Sequence, residues 1–139
     1  MEFQERLAKI RKLKGVTQEE LANRIGVTRR SIIHFEQGTR TPSTETINSI
    51  AEALQVSREA LISDEEYFIV EAHEKHGAAG RKSAQKLINN AQALFAGGDL
   101  SDEDKEAVLK AITEAFWEAK IINKKYTPKK YRKDDNNSE

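Results

Sequence analysis

The sequence contains no cysteine. That absence removes disulfides, thiolate zinc sites and cysteine nucleophiles together, and a reducing compartment is the natural setting. Proline is almost missing too, with Pro42 and Pro128 the only two among 139 residues, so long stretches carry no proline to break a helix. Neither sign of charge is in excess. Lys plus Arg equals Asp plus Glu at 23 each, so any argument about a charged partner must rest on where charges sit, not on their sum. No stretch approaches the roughly 18 apolar residues of a membrane span, and Met1 to Ile10 already mixes Glu2, Glu5, Arg6 and Lys9 among its apolar positions. The expectation is a soluble, cytoplasmic chain with no membrane partner.

What is present is 37% apolar and 33% charged residues, a balance that suits small helical units with large exposed surfaces. Phe3, Leu7, Ile10 and Leu13 fall at helical spacing, and Gly15 supplies a stop. Thr17 followed three residues later by Glu20 is a capping box for a second short helix, whose inward positions are Leu21, Ala22 and Ile25 and whose end is Gly26. Thr28 caps a third helix running to Gln37, and Gly38 closes it. Ile47, Ile50, Ala51 and Leu54 mark a fourth, and Ser57 opens a one-turn fifth ending near Ile62. Residues 1–63 therefore read as five short helices.

From Asp64 the pattern lengthens. Tyr67 to Glu74 is helical in character, and Gly77 and Gly80 read as interruptions. Ala84, Leu87, Ile88, Ala91, Leu94 and Phe95 then form one apolar stripe, and Gly97-Gly98 stops it. Ser101 with Asp104 offers a further capping box, and Val108, Ile112, Ala115, Phe116, Ala119 and Ile122 form a second stripe. Residues 64–125 are expected to make an antiparallel helical hairpin, whose two stripes bury too little surface to be stable alone and need another surface. Residues 126–139 have no apolar periodicity and are expected to be a flexible basic tail.

A short helix, a glycine turn and a second helix set one helix across the DNA backbone and the next in the major groove. Ala22, Gly26, Ile32 and Phe35 fit the inner corner of such a unit. Through Thr17-Gln18-Glu19-Glu20-Leu21-Ala22, Gly26-Val27-Thr28, Ser31-Ile32, Phe35-Glu36-Gln37-Gly38 and Pro42, residues 5–62 resemble the phage-repressor and Cro family, also called the XRE family. The resemblance implies an all-α chain whose N-terminal domain is a five-helix lambda-repressor-like fold that binds double-stranded DNA. It implies phosphate contacts at Gln18 and Thr28, the latter helped by the partial charge of a helix N-terminus, with Asn23 and Arg40 as further candidates. Arg29, Arg30 and His34 take the positions of base-reading side chains on helix 28–37, and two arginines suit a half-site containing guanine. Arg11 and Glu36 take those of an internal ion pair. Each base-contact candidate is also compatible with an ordinary solvated helix face, and Gln18 and Thr28 with plain capping.

Other chemistry has little support. His73 and His76 are three residues apart, not the four that a zinc helix motif requires, so no metal is expected. Asp99, Asp102, Glu103, Asp104 and Glu106 lack calcium-loop spacing and suit the start of a helix. No phosphate-binding glycine loop or nucleophilic triad stands out, so neither catalysis nor a cofactor is expected. Lys120 to Lys133 holds seven Lys or Arg and no acid, interleaved with Tyr126 and Tyr131, which suits either an arm tracking phosphate or a solvated tail. Asn123 to Tyr131 is similar to the C-termini of phage-like and mobile-element regulators of Gram-positive bacteria.

Because one small helix-turn-helix unit makes few base contacts, a homodimer on a palindromic operator is expected, acting as a repressor that occludes a promoter. Leu87, Leu94, Phe95, Ile112, Phe116 and Trp117 are the candidate dimerisation residues, or else close on one another within a monomer. Something acting on residues 64–139 would then lift repression, with an anti-repressor and a protease as candidate partners. The rival reading is an antitoxin or adaptor whose C-terminal helices bind a partner protein such as a toxin, with DNA binding serving autoregulation.

Overall fold

The computed structural model describes residues 1–126, with side chains as far as residue 121. Among these residues there are seven helices and no strand: α1 (Phe3–Leu13), α2 (Gln18–Ile25), α3 (Arg29–Gln37), α4 (Thr44–Leu54), α5 (Arg58–Ile62), α6 (Asp64–Phe95) and α7 (Asp102–Tyr126). They fall into two compact units, one from Met1 to Arg81 and one from Lys82 onward. Apart from Tyr126, which ends α7, the basic tail lies outside the described residues.

Local signals set the helix ends in the first unit. At α2 the Thr17 hydroxyl accepts the Glu20 N–H at 3.0 Å, and the Glu20 carboxylate accepts the Thr17 N–H at 2.9 Å. Each side chain thus satisfies a backbone donor that the first helical turn leaves open. The Thr17 backbone N–H first and its hydroxyl second hold the Glu20 carboxyl below its usual 4.5. A depressed folded-state pKa contributes stability that is present above the unfolded value and lost as pH falls through the folded one. Glu20→Gln is therefore expected to flatten the acid limb of a stability-versus-pH curve below about pH 4.5. Thr17→Ala, which removes the other half of the box, should cost about 0.5–2 kcal/mol in urea unfolding.

Gly26 ends α2 in the left-handed region, at φ 74° and ψ 32°. Val27 can then donate to the Ala22 carbonyl at 3.0 Å, and the chain turns into Thr28. Thr28 caps α3 through the Ser31 N–H at 3.1 Å. With both ends fixed, α2 and α3 pack together, and the small Ala22 is buried in the core they share.

The core of this unit gathers one face of every helix. Leu7 and Ile10 come from α1, Leu21 from α2, Ile32 from α3, Ile50 and Leu54 from α4 and Leu61 from α5, all fully buried. Each such side chain contributes roughly 1.5–3 kcal/mol by leaving water. Tyr67, on the second turn of α6, completes the same cluster. Burial first, and the Glu71 charge second, push the Tyr67 hydroxyl far above the usual phenol range.

Arg6 ties α1 to this junction. Its guanidinium is buried and donates to the Leu61 carbonyl at 2.7 Å, to the Asp64 carboxylate at 2.7 Å and to the Met1 carbonyl. These bonds satisfy the last turn of α5 and hold the start of α6 beside it.

Helix α6 is broken once, at Gly77, where φ 69° and ψ −161° fall in a region essentially restricted to glycine. Gly80 stays helical, contrary to the expectation of two interruptions. Its absent side chain has a packing reason: a Cβ there would lie 2.4 Å from the His76 Cβ and 2.8 Å from the Ala72 carbonyl oxygen. In the second unit Ala84, Ile88, Ala91 and Leu109 are buried, and Ser101 caps α7 by accepting the Asp104 N–H at 3.1 Å.

Candidate nucleic-acid interface

Helix α3 presents its N-terminal half to solvent while Ile32 and Phe35 anchor it from below. Arg29 and Arg30 are exposed at its first two positions. Arg29 makes no hydrogen bond or ion pair among the described residues. Arg30 lies one turn before His34, and its Nε–H approaches the His34 Nε2 at 3.5 Å.

The ring of His34 is held on its other side as well, with Nδ1 at 2.8 Å from the Thr39 hydroxyl. That hydroxyl has its proton directed to the His34 carbonyl at 3.3 Å. Because Arg30 can only donate, its contact with Nε2 goes with the tautomer in which Nδ1 carries the ring proton toward Thr39. His34 in this geometry lies against Arg30, whose terminal nitrogens make no hydrogen bond among the described residues. The sequence pattern carried no sign of Thr39 in this chain of contacts.

The remaining candidates divide. Gln18 and Arg29 line one open depression of about 480 Å³, together with Arg11, Lys12, Gly15 and Thr17. This places two cations, Lys12 and Arg29, and one acid, Glu19, around the N-terminus of α2, where N–H groups left open by the first turn favour an anion. Lys12 was not singled out from the sequence. Its position in the last turn of α1 is where basic residues commonly sit for reasons of helix dipole alone.

Asn23 is exposed on α2 and does not line that depression. Thr28 is exposed, and its hydroxyl serves the α3 cap. Arg40 lies 5.5 Å over the Phe35 ring and reaches the Ser31 hydroxyl at 3.3 Å, so its head is steered back along α3 toward the first turn.

Arg11 and Glu36 meet in a two-point ion pair, Nε to Oε2 at 2.6 Å and Nη2 to Oε1 at 3.1 Å. Both side chains are about nine-tenths buried. Arg11 also donates to the Val16 carbonyl at 2.9 Å, and the Gln18 amide donates to Glu36 at 3.0 Å. One buried carboxylate on α3 thus organises the end of α1 and the start of α2. It also commits the Gln18 nitrogen inward, leaving its amide oxygen and the α2 N–H groups at the surface.

The dimerisation candidates lie in the second unit. Leu94 is 73% exposed, while Leu87, Phe95, Ile112, Phe116 and Trp117 are half-buried. Phe116 and Trp117 meet edge to face at 4.9 Å. Among the described residues no group of three His, Asp or Glu is placed to hold a metal ion, and no helix is long and apolar enough to cross a membrane.

Two short helices packed together, with an exposed arginine pair on the second, define a helix-turn-helix DNA-binding unit. The helix-turn-helix family model matches residues 7–61. The immunity repressor protein of Bacillus phage phi105 is 34% identical over 138 residues, spanning 94% of this chain and 96% of that protein. The HTH-type transcriptional regulator YqaE of Bacillus subtilis strain 168, itself uncharacterized, is 32% identical across 88% of this chain and 99% of its own length. The CTXphi transcriptional repressor RstR of Vibrio cholerae is 35% identical across 46% of this chain and 58% of its own. The chain belongs to the helix-turn-helix family of DNA-binding transcriptional regulators.

Proposed function

We propose that the protein represses transcription by sitting as a symmetric dimer on a palindromic operator, with α3 of each copy in the major groove. The observation that carries this is the pair Arg29 and Arg30, exposed on the N-terminal half of α3 above a rigidly capped corner. The near full-length similarity to a phage immunity repressor supports repression as the outcome. In this reading Arg29, Arg30 and His34 read bases, and His34 also orients Arg30. Gln18, Asn23, Thr28 and Arg40 hold phosphates, and Lys12 joins them at the α2 N-terminus.

Residues 1–63 act as the DNA-binding unit and residues 64–125 as the dimerising and regulatory region, without catalysis and in the cytoplasm. Leu94 supports the dimer: an apolar side chain this exposed in a helical stripe is suited to cover by a second copy. Two units then meet half-sites about 34 Å apart on one face of the duplex.

The test is selection of bound sites from random duplexes, followed by sedimentation of the protein alone. A palindrome with half-sites one helical turn apart is expected, and a mass of twice 15.7 kDa. Leu94→Glu should return the species to 15.7 kDa with an unchanged helical spectrum. Selection of a single asymmetric site by a monomer would contradict the dimer, and enrichment of no sequence would contradict the repressor.

A further inference from the structure

We propose that a second pocket, in the first unit and away from α3, binds a small zwitterion with an apolar body, such as an apolar di- or tripeptide with both termini free. The pocket holds about 450 Å³ between the end of α1, the α4–α5 turn and the middle of α6. That volume is within the range of small-ligand sites. Val56, Ile69 and Val70 form its apolar floor.

Five polar side chains line it without a hydrogen bond or ion pair of their own among the described residues: Gln55, Ser57, Glu66, His73 and Arg81. Lys14 and Glu74, also in the lining, are paired with each other at 3.3 Å. That leaves a half-buried anion, Glu66, and an exposed cation, Arg81, each without a charged partner among the described residues, over an apolar surface. A carboxylate on Arg81, an ammonium on Glu66 and an aliphatic side chain on the floor satisfy all three together. A polyanion would meet Glu66 and Glu74, and an uncharged apolar molecule would leave both charges unmatched.

Two backbone features mark this pocket. Gln55 at its lip is the one non-glycine residue with positive φ among the described residues, at 58°, a conformation that side chains adopt infrequently. Gly77, the break in α6, separates Glu66, Ile69, Val70 and His73 from Arg81. A ligand that joins Arg81 to Glu66 holds α6 across that break and favours whichever setting of Gly77 it binds best. Lys14 leads through Gly15 and Val16 into the Thr17 cap of α2, so occupancy also bears on the helix that the proposed DNA contacts use. The binding claim stands on the pocket alone, whereas its effect on DNA rests on the repressor reading.

Amide NMR of the full chain with trivaline tests the site, with N-acetyl-trivaline amide and inorganic phosphate as comparisons. Saturable shifts at Val56, Ile69, Val70 and Gly77 are expected for trivaline, with about tenfold weaker binding of the blocked peptide. Arg81→Ala and Glu66→Gln should each weaken trivaline about tenfold while leaving the circular dichroism spectrum unchanged. The site is overturned by no saturable shift up to about 10 mM, by equal binding of the blocked peptide or of phosphate, or by full binding in both variants. On the selected operator, saturating trivaline should change the apparent Kd by about fivefold or more, and Arg81→Ala should abolish the change. Unchanged operator affinity would overturn the regulatory role. Loss of all operator binding in the untreated protein would instead overturn the repressor reading and leave the NMR result standing.

Discussion

Arg11→Ala should destabilise the first unit by about 3–5 kcal/mol, because it strands the largely buried Glu36 carboxylate without its cation. Glu36 is held by Arg11 at 2.6 and 3.1 Å and by Gln18 at 3.0 Å, so one neutral amide would remain against a buried charge. The Val16 carbonyl would lose its Arg11 donor as well. Glu36→Ala leaves the opposite problem, an unpaired guanidinium with fewer than its usual acceptors, and should cost a similar amount. The paired change Arg11→Met with Glu36→Leu removes both charges and keeps the volume, and should recover most of the loss. Urea unfolding of the four proteins checks this. If both single variants lose less than about 1 kcal/mol, the pair behaves as a surface ion pair and does not organise the corner.

The consequence of that pair for DNA binding is separable from its consequence for folding. In the double replacement α3 keeps its hydrophobic anchors Ile32 and Phe35, but the Gln18 amide loses the acceptor that turns it inward. Stability should return while the Gln18 side chain at the α2 N-terminus loses its fixed geometry. A folded protein with weakened operator binding is therefore the expected phenotype of the double variant.

Much of the first unit was legible in the sequence because its instructions are local. Thr17-x-x-Glu20, Gly26, Thr28 and Gly38 each act within a few residues, and the apolar positions repeat at helical spacing. The end of α4 had no such mark. Gln55 takes the left-handed position there without being glycine, stabilised by the bonds that follow it, including Val56 N–H to the Ala51 carbonyl at 3.0 Å. Features that depend on distant residues were silent. Arg6 finds Asp64 and Leu61 across more than fifty positions, and Tyr67 joins a core built by the preceding five helices. Neither partnership has a period or a spacing to read.

The candidate interface was legible to the same extent and for the same reason. Family spacing pointed to Arg29, Arg30 and His34, but it could not tell a base reader from a side chain that orients one. That distinction depends on Thr39, which occupies both the carbonyl and the Nδ1 of His34 after the chain has left α3 at Gly38. Likewise, Lys12 and Arg29 line one depression at the start of α2, beside the Arg11–Glu36 pair that joins the end of α1 to α3.

Replacing Arg29 and Arg30 together by alanine should lower discrimination between the selected operator and a scrambled duplex by about 1–3 kcal/mol for each base deprived of its arginine. Stability should change little, since both side chains are exposed and neither carries a buried charge partner. The single variants separate the two arginines. Arg30 has its guanidinium aligned by His34, so Arg30→Ala should relax preference at one base pair with little effect on the salt slope. Arg29 borders the depression at the α2 N-terminus and has no partner of its own among the described residues. If Arg29→Ala weakens all sequences alike and reduces the salt slope by about one, it grips phosphate with Lys12 and Arg30 alone reads the base. Fluorescence anisotropy at two salt concentrations distinguishes these outcomes. His34→Ala supplies the control: loss of orientation should reproduce part of the Arg30 defect, whereas a direct base contact by His34 would add a defect at a second base pair that Arg30→Ala leaves intact. If the double arginine variant keeps the wild-type preference, helix α3 is not the reader and the antitoxin or adaptor reading of the C-terminal helices takes its place.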